Sequence, residues 1–257
     1  RSAAGGRPTG IDAAPLGLDT KMTVAAAMFT GGGIQTWSVS SEGTLDPTSS
    51  PQFGDGFRDA AFADINGDGW LDLLGAHPQL NLITLFLGTS DGTFGPWQVL
   101  TVSRGPRALV PVDLTGDGRE EVVVVRESGG FSVLTYGAEG LASLQTWDAA
   151  GSFYDAASGD LDQDGNADIA LIDEVGDQIR LFYGAGDGTL QQGGAVAVGD
   201  APRGVALGDL TGDGRMDMVV TTFGDDRMTS FVAQAGQRAG TFEEVSSLPL
   251  GLGPYGV

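Results

Sequence analysis

The chain has no cysteine and a single histidine, His77, among 257 residues. Disulfide staples, thiolate metal sites and cysteine nucleophiles are therefore excluded, and there is no thiol or imidazole cluster to recruit zinc. Basic residues are scarce as well: 13 Lys and Arg stand against 34 Asp and Glu, a formal net charge of −21. Such a chain repels nucleic acid and anionic membranes, so neither is expected as a partner. No run reaches the ~18 apolar residues of a membrane helix, so membrane insertion is not expected either. The opening RSAAGGRPTG has no apolar signal core. An exported form is expected to have had its signal removed. Nowhere does a sustained helical period with caps occur.

What is abundant is glycine, 43 residues, beside 11 prolines and a hydrophobic content of 41%. That is enough apolar material for a packed core, in a fold with many turns. The length allows one large domain or two small ones. The acids are not scattered. DINGDGWLD begins at Asp64, DLTGDGREE at Asp113, DLDQDGNAD at Asp160 and DLTGDGRMD at Asp209. A period of about 48 residues marks a repeat architecture.

More of each repeat matches than the acidic stretch. A small apolar run precedes it (DAAFA, ALVPV, DAASG, GVALG) and a β-branched or leucine-rich run follows (LDLLGA, EVVVVR, DIALID, DMVVTT). A third apolar segment ends near glycine, as in LITLFLGTSDG and IRLFYGAGDG, and a fourth, more polar one closes the unit. Short runs rich in Val, Leu, Ile, Phe and Tyr, bounded by Gly, Asp and Ser, read as strands. Four strands per repeat predict an all-β fold, a β-propeller of four-stranded blades, in which stacking covers sheet faces that one blade cannot bury alone. About five repeats are encoded in a single propeller domain over 1–257. Their approximate bounds are 10–50, 51–100, 101–149, 150–197 and 198–250. The first is degenerate, and its loop GLDTKMT offers only Asp19, so no ion is expected there. Residues 251–257 match the start of a further first strand. The alternatives are a five-bladed closed ring, with that strand completing the N-terminal blade, and part of a seven-bladed propeller.

The acidic stretches have the spacing of a cation cage. The first offers Asp64, Asn66 and Asp68 at its first, third and fifth positions, the Trp70 carbonyl at the seventh and Asp72 at the ninth. The second offers Asp113, Thr115, Asp117, the Arg119 carbonyl and Glu121. The third offers Asp160, Asp162, Asp164, the Asn166 carbonyl and Asp168. The fourth offers Asp209, Thr211, Asp213, the Arg215 carbonyl and Asp217. Alternate residues of a tight loop point inward together, and the glycines supply the positive φ such a turn needs. Hard oxygen donors in this number suit calcium, so four calcium sites are expected. An EF-hand is excluded. Its twelfth-position glutamate is replaced here by Gly75, Val124, Leu171 and Val220, and strand-like sequence follows.

DxNGDGxxD between two strands, with LFLG or LFYGAGDG downstream, resembles the FG-GAP/VCBS repeat over roughly residues 10–257. That resemblance implies the calcium-bearing propeller of integrin α-subunits and of many bacterial and fungal surface proteins and lectins. The N-terminal repeat departs from the pattern.

No Gly-x-Ser-x-Gly, phosphate loop or nucleotide fingerprint is present. His77 beside Pro78 reads as a turn residue without a catalytic role, so no enzyme activity is expected. Among the aromatics, Trp37 and Tyr136 lie in third strands and are expected in the core, with Tyr154 and Tyr255 as further stacking candidates. Trp97 and Trp147 lie in outer strands, where an exposed ring can stack on a ligand. The expected function is a calcium-stabilised recognition or adhesion module, extracellular or at the cell surface, that binds a protein or a carbohydrate. The alternatives are a lectin with sugar sites between blades and an accessory propeller of a larger assembly or enzyme.

Overall fold

The computed structural model describes residues 8–17, 21–30, 32–48, 51, 53–234 and 240–251. They form twenty strands and, among the described residues, no helix. The first sheet holds β1 (Pro8–Leu16), β2 (Lys21–Met28), β3 (Ile34–Val39) and β4 (Leu45–Pro47). The second holds β5 (Asp59–Ala63), β6 (Asp72–His77), β7 (Leu82–Gly88) and β8 (Phe94–Thr101). The third holds β9 (Pro106–Val112), β10 (Glu121–Arg126), β11 (Gly130–Gly137) and β12 (Gly140–Trp147). The fourth holds β13 (Phe153–Gly159), β14 (Asp168–Asp173), β15 (Gln178–Gly184) and β16 (Leu190–Ala197). The fifth holds β17 (Pro202–Gly208), β18 (Asp217–Thr222), β19 (Arg227–Ala233) and β20 (Phe242–Pro249). Every sheet is hydrogen-bonded in chain order. This is the blade pattern of a five-bladed β-propeller.

The N-terminal sheet owns its first strand, β1, which pairs with β2 from Leu16↔Lys21 to Pro8↔Met28. It is already four-stranded without any C-terminal segment. Residues 252–257, Asp19 and Tyr255 lie outside the described residues.

The chain divides into two compact units. One comprises Arg1–Pro111, Gly118–Arg126 and Ser132–Leu144, the other Val112–Asp117, Glu127–Phe131 and Gln145–Val257. Within the first, β1 lies beside β5; within the second, β13 lies beside β17. The second strands are the most deeply placed: every residue of β6, β10 and β14 is buried. A strand covered on both faces has no polar face to show, which is why these strands read as continuous apolar runs and not as alternating ones. In the first unit, Leu74, Ile83, Leu85, Val122, Val124 and Leu134 form one cluster, and Ile34, Phe57, Leu73 and Phe86 belong to another. In the second unit, Ile172, Leu181, Val205, Val220 and Phe231 play the same part. Fully burying such a side chain contributes about 1.5–3 kcal/mol. The outer strands β8, β12, β16 and β20 consist almost entirely of half-buried and exposed residues.

Carboxylates staple successive first strands in the first unit. Asp12 of β1 accepts the Phe62 N–H of β5 (2.8 Å), and Asp59 of β5 accepts the Leu109 N–H of β9 (2.9 Å). The strands approach so closely that a Cβ on Gly10 would overlap Asp59 Oδ1. Replacing Asp59 with Ala leaves the Leu109 amide without this acceptor. The expected loss is about 1–2 kcal/mol, read as a fall of ~2–4 °C per kcal/mol in thermal denaturation. An unchanged melting temperature would mean that water replaces the staple at no cost.

Candidate metal centre

Each acidic loop joins the first strand of a sheet to its second. The pairs that close them are Ala63↔Asp72, Gly159↔Asp168 and Gly208↔Asp217. The chain turns back within the loop because two residues take positive φ: Gly67 (74°) and Gly69 (84°), Gly116 (71°) and Gly118 (85°), Gly212 (76°) and Gly214 (82°). In the third loop Gln163 (62°) stands beside Gly165 (89°).

The first-position aspartate organises the turn by collecting backbone amides. Asp64 accepts from Gly67 N (2.8 Å), Asp68 N (3.1 Å) and Gly69 N (2.9 Å). Asp209 does the same with Gly212, Asp213 and Gly214. Asp160 accepts from Asp164 N and Gly165 N, and Asp113 from Thr115 N, Gly116 N and the Thr115 hydroxyl. The fifth-position aspartate caps the seventh residue: Trp70 N to Asp68, Asn166 N to Asp164 and Arg215 N to Asp213.

The ninth-position acid has a second task that spacing alone does not reveal. Asp72 is fully buried; its Oδ2 accepts Ile65 N (3.3 Å) and its Oδ1 accepts Gly88 N (2.8 Å). Asp168 grips Leu161 N (2.7 Å) and Gly184 N (2.8 Å), and Asp217 grips Leu210 N and Ala233 N (both 2.9 Å). One carboxylate thus ties the loop's start to the end of the third strand. Glu121, at the same place in the second loop, is also buried.

Among the described residues, one set of carboxylates comes close enough to share an ion. Ligand atoms of Asp160, Asp162 and Asp168 lie within 4.8 Å of one another. Three hard oxygens on a tight loop fit a divalent cation such as calcium. Elsewhere the acids have other partners. In the first loop Asn66 Nδ2 donates to Asp68 Oδ2 (2.9 Å), and in the fourth the Arg215 guanidinium pairs with Asp213. Thr211 is exposed, and the Arg119 side chain lies against Gly67.

Burial raises the Asp72 carboxyl to about 7 against the two amides that hold it, with the charges of Asp68 and Asp64 adding to the rise. Burial likewise raises Asp168 to about 6. Asp162 is raised by burial and then by Asp164. Asp209 moves the other way, lowered chiefly by the Gly214 amide.

The aromatic candidates separate. Trp97 is 51% exposed and meets Phe53 edge-on at 5.1 Å. Trp147 is not an exposed stacking ring. It packs on Phe182 (4.8 Å), Phe131 and Phe153 (both 5.7 Å), with the Arg180 guanidinium over it. The outer-strand pattern missed this because those partners lie far away in sequence. His77 is no surface turn residue either. It closes β6, is 2% exposed and packs on Phe57 (4.2 Å) and Phe53 (5.3 Å). Neither ring nitrogen has a hydrogen-bond partner, and burial lowers its pKa.

Two outcomes are expected. Asp72→Ala strands two buried amides and costs about 2–4 kcal/mol even in chelator, whereas Asp68→Ala, exposed, costs under about 0.5 kcal/mol there. Equal losses in urea titrations would contradict the clamp. The raised carboxyls also set a pH dependence. A group whose folded pKa exceeds its unfolded one contributes stability that is fully present below the ordinary value, 3.8, and lost as pH rises through 6 to 7. Metal-free protein should therefore lose stability as pH rises across that window. A melting temperature that climbs instead would show that the amides outweigh desolvation.

The FG-GAP-like repeat matches three overlapping stretches, residues 64–124, 113–171 and 160–220, together more than half of the chain. No curated protein matches the chain by sequence. Solved structures do match. A protein from Bacteroides uniformis provisionally assigned as a 6-phosphogluconolactonase superposes with a TM-score of 0.73 at 18% identity, over 99% of this chain and 75% of its own. A second, from Bacteroides fragilis, gives 0.66 at 18% identity over 96% and 72%. The periplasmic gluconolactonase of Pseudomonas aeruginosa gives 0.65 at 20% identity over 96% and 71%. These neighbours correct the expectation of a non-enzymatic recognition or adhesion module, with a lectin or accessory subunit as its alternatives. Three of the propellers on which nearly the whole chain superposes carry lactonase names. The missing serine-elbow and phosphate-loop motifs, from which the absence of enzyme activity was reasoned, do not decide the matter, because a lactone is an ester that base- or metal-activated water also opens, without a serine nucleophile. At these identities the likeness establishes fold. The consecutive repeat matches establish kinship: the chain belongs to the FG-GAP-like repeat family.

Proposed function

We propose that the protein is a calcium-loaded hydrolase that opens the lactone ring of sugar acids outside the cytoplasm. The observation that carries the hydrolase part is the superposition of 96–99% of the chain on propellers with lactonase names. Opening a lactone calls for a base to take a proton from the attacking water and a donor or cation for the developing oxyanion. The single histidine is the residue suited to the first role. His77 is neutral in its aromatic surroundings and neither ring nitrogen has a partner, but both are buried, so Phe53 must swing aside before the lone pair meets the attacking water.

Calcium has a structural part. The residues proposed to hold it are the first, third, fifth and ninth side chains of the four loops, with the seventh carbonyl. The third loop, with its grouped carboxylates, is the strongest. The fourth is weaker, because Arg215 must leave Asp213 before a cation takes its place. When bound, the ion neutralises the loop charge and holds the first and second strands of a blade together. Sites of this kind on extracellular modules bind on the order of 10⁻⁴–10⁻³ M, which fits millimolar calcium outside the cytoplasm. An ion that binds only the folded state stabilises it by roughly 2.7 kcal/mol per site at a hundredfold excess.

Chelation is expected to lower the melting temperature, and magnesium to restore it poorly. An unchanged curve after verified metal removal would sink the calcium part. For the hydrolase part, glucono-δ-lactone and its 6-phosphate are incubated with the protein and acid release is followed against the spontaneous rate. Opening is expected to exceed that rate and to fall by about 10²-fold in His77→Gln, with circular dichroism confirming that the variant is folded. Wild-type protein that leaves both spontaneous rates unchanged rejects the proposal.

A further inference from the structure

We propose that Asn66–Gly67 is a self-modification site, at which the metal-free first loop converts its third-position ligand to aspartate or isoaspartate. Three contacts assemble the chemistry. The Asn66 carbonyl oxygen accepts the Asp68 N–H (2.9 Å), which polarises the carboxamide carbon. The ring closed by that bond runs through the Gly67 nitrogen, so the carboxamide and the atom that must attack it belong to one tight turn. That nitrogen donates its proton to Asp64 Oδ1 (2.8 Å), a carboxylate placed to accept it. The departing NH2 meanwhile donates to Asp68 Oδ2 (2.9 Å). Gly67 has no Cβ to obstruct the attack, and it is exposed, so water reaches the product.

The step balances with water as co-reactant. Gly67 N bonds to Asn66 Cγ and gives its proton to Asp64, the carboxamide nitrogen takes a proton from water and leaves as ammonia, and the hydroxide so formed is neutralised by the proton on Asp64. Water then opens the resulting succinimide at either carbonyl, giving aspartate or an isoaspartate whose backbone is one methylene longer. The first product reproduces the acidic third position of Asp162; the second displaces every later ligand of the loop. The other two asparagines lack this setting: Asn81 precedes Leu82, and Asn166 precedes Ala167. Calcium is expected to protect Asn66 by engaging Asp64 and the Asn66 oxygen, a point that rests on the calcium reading above.

The full chain is incubated at mildly alkaline pH with calcium chloride or with chelator, and position 66 is followed by peptide mass spectrometry as NH is exchanged for O. Calcium binding by the same sample is titrated in parallel. In chelator, conversion at 66 is expected to exceed that at Asn166 by about tenfold or more, since a Cβ on the following residue obstructs attack, and calcium should slow it. Conversion at 66 no faster than at 166 overturns the site. Calcium that binds without slowing conversion overturns the protection. Failure to bind calcium rejects the calcium reading and leaves the comparison in chelator to decide the site. Asp64→Ala should slow conversion in chelator. A faster rate would mean that loop looseness, and not the proton acceptor, governs it.

Discussion

Three of the five repeats hang on a buried carboxylate that holds two backbone amides. In the second, fourth and fifth sheets it is Asp72, Asp168 and Asp217, reaching back to the loop's second residue and out to the end of the third strand. Without it two N–H groups would sit buried and unsatisfied, at about 1–3 kcal/mol each. An aliphatic residue cannot substitute, and a neutral amide would have to turn one donor toward a donor. Burying the carboxylate carries its own penalty, visible in the raised pKa of Asp72 and Asp168. The first, third and fifth positions add more negative charge within a few ångströms. The contact that shapes the loop therefore also adds to the field that a cation would relieve, so the structural clamp and the proposed ion site share one residue.

That double role explains what was legible in the sequence. The repeat period, the alternate acids and the glycines are local, and they gave the loops, the blades and the all-β class. Runs such as EVVVVR and DIALID gave the second strands because burial on both faces removes alternation. The clamp was not legible as such. Asp72 meets Gly88 across 16 residues, a distance fixed by the length of the second and third strands and not by any motif. Trp147 and His77 were misplaced for a related reason. Trp147 sits in a strand whose neighbours are exposed, yet it turns toward Phe131, Phe153 and Phe182. His77 precedes a proline, yet ends a strand that is buried throughout.

Function was the least legible. A propeller separates its scaffold, which repeats, from its chemistry, which need not. The repeated residues here are the clamps, turns and core, and a search for repeated motifs finds those first. A group that occurs once, such as the only histidine, carries no period to announce it. Its unpartnered nitrogens became visible only when Phe53 and Phe57 were seen to enclose it.

The differences among loops say as much as their likeness. Three loops place glycine at the fourth position; the third places Gln163 there, in the same left-handed conformation. An L-residue in that conformation costs roughly 1–2 kcal/mol. The Gln163 side chain offsets part of this by donating to the Gly214 carbonyl (3.3 Å), linking the third loop to the fourth. At the third position the loops carry Asn66, Thr115, Asp162 and Thr211. Threonine has no carboxamide to lose and aspartate has already the acid, so only the first loop sets an asparagine before a glycine. The glycine that lets that loop turn is the residue that leaves its ligand open to attack, and the aspartate that orders the turn is the one that receives the proton. Local folding and local chemical lability there follow from the same three residues, Asp64, Asn66 and Gly67.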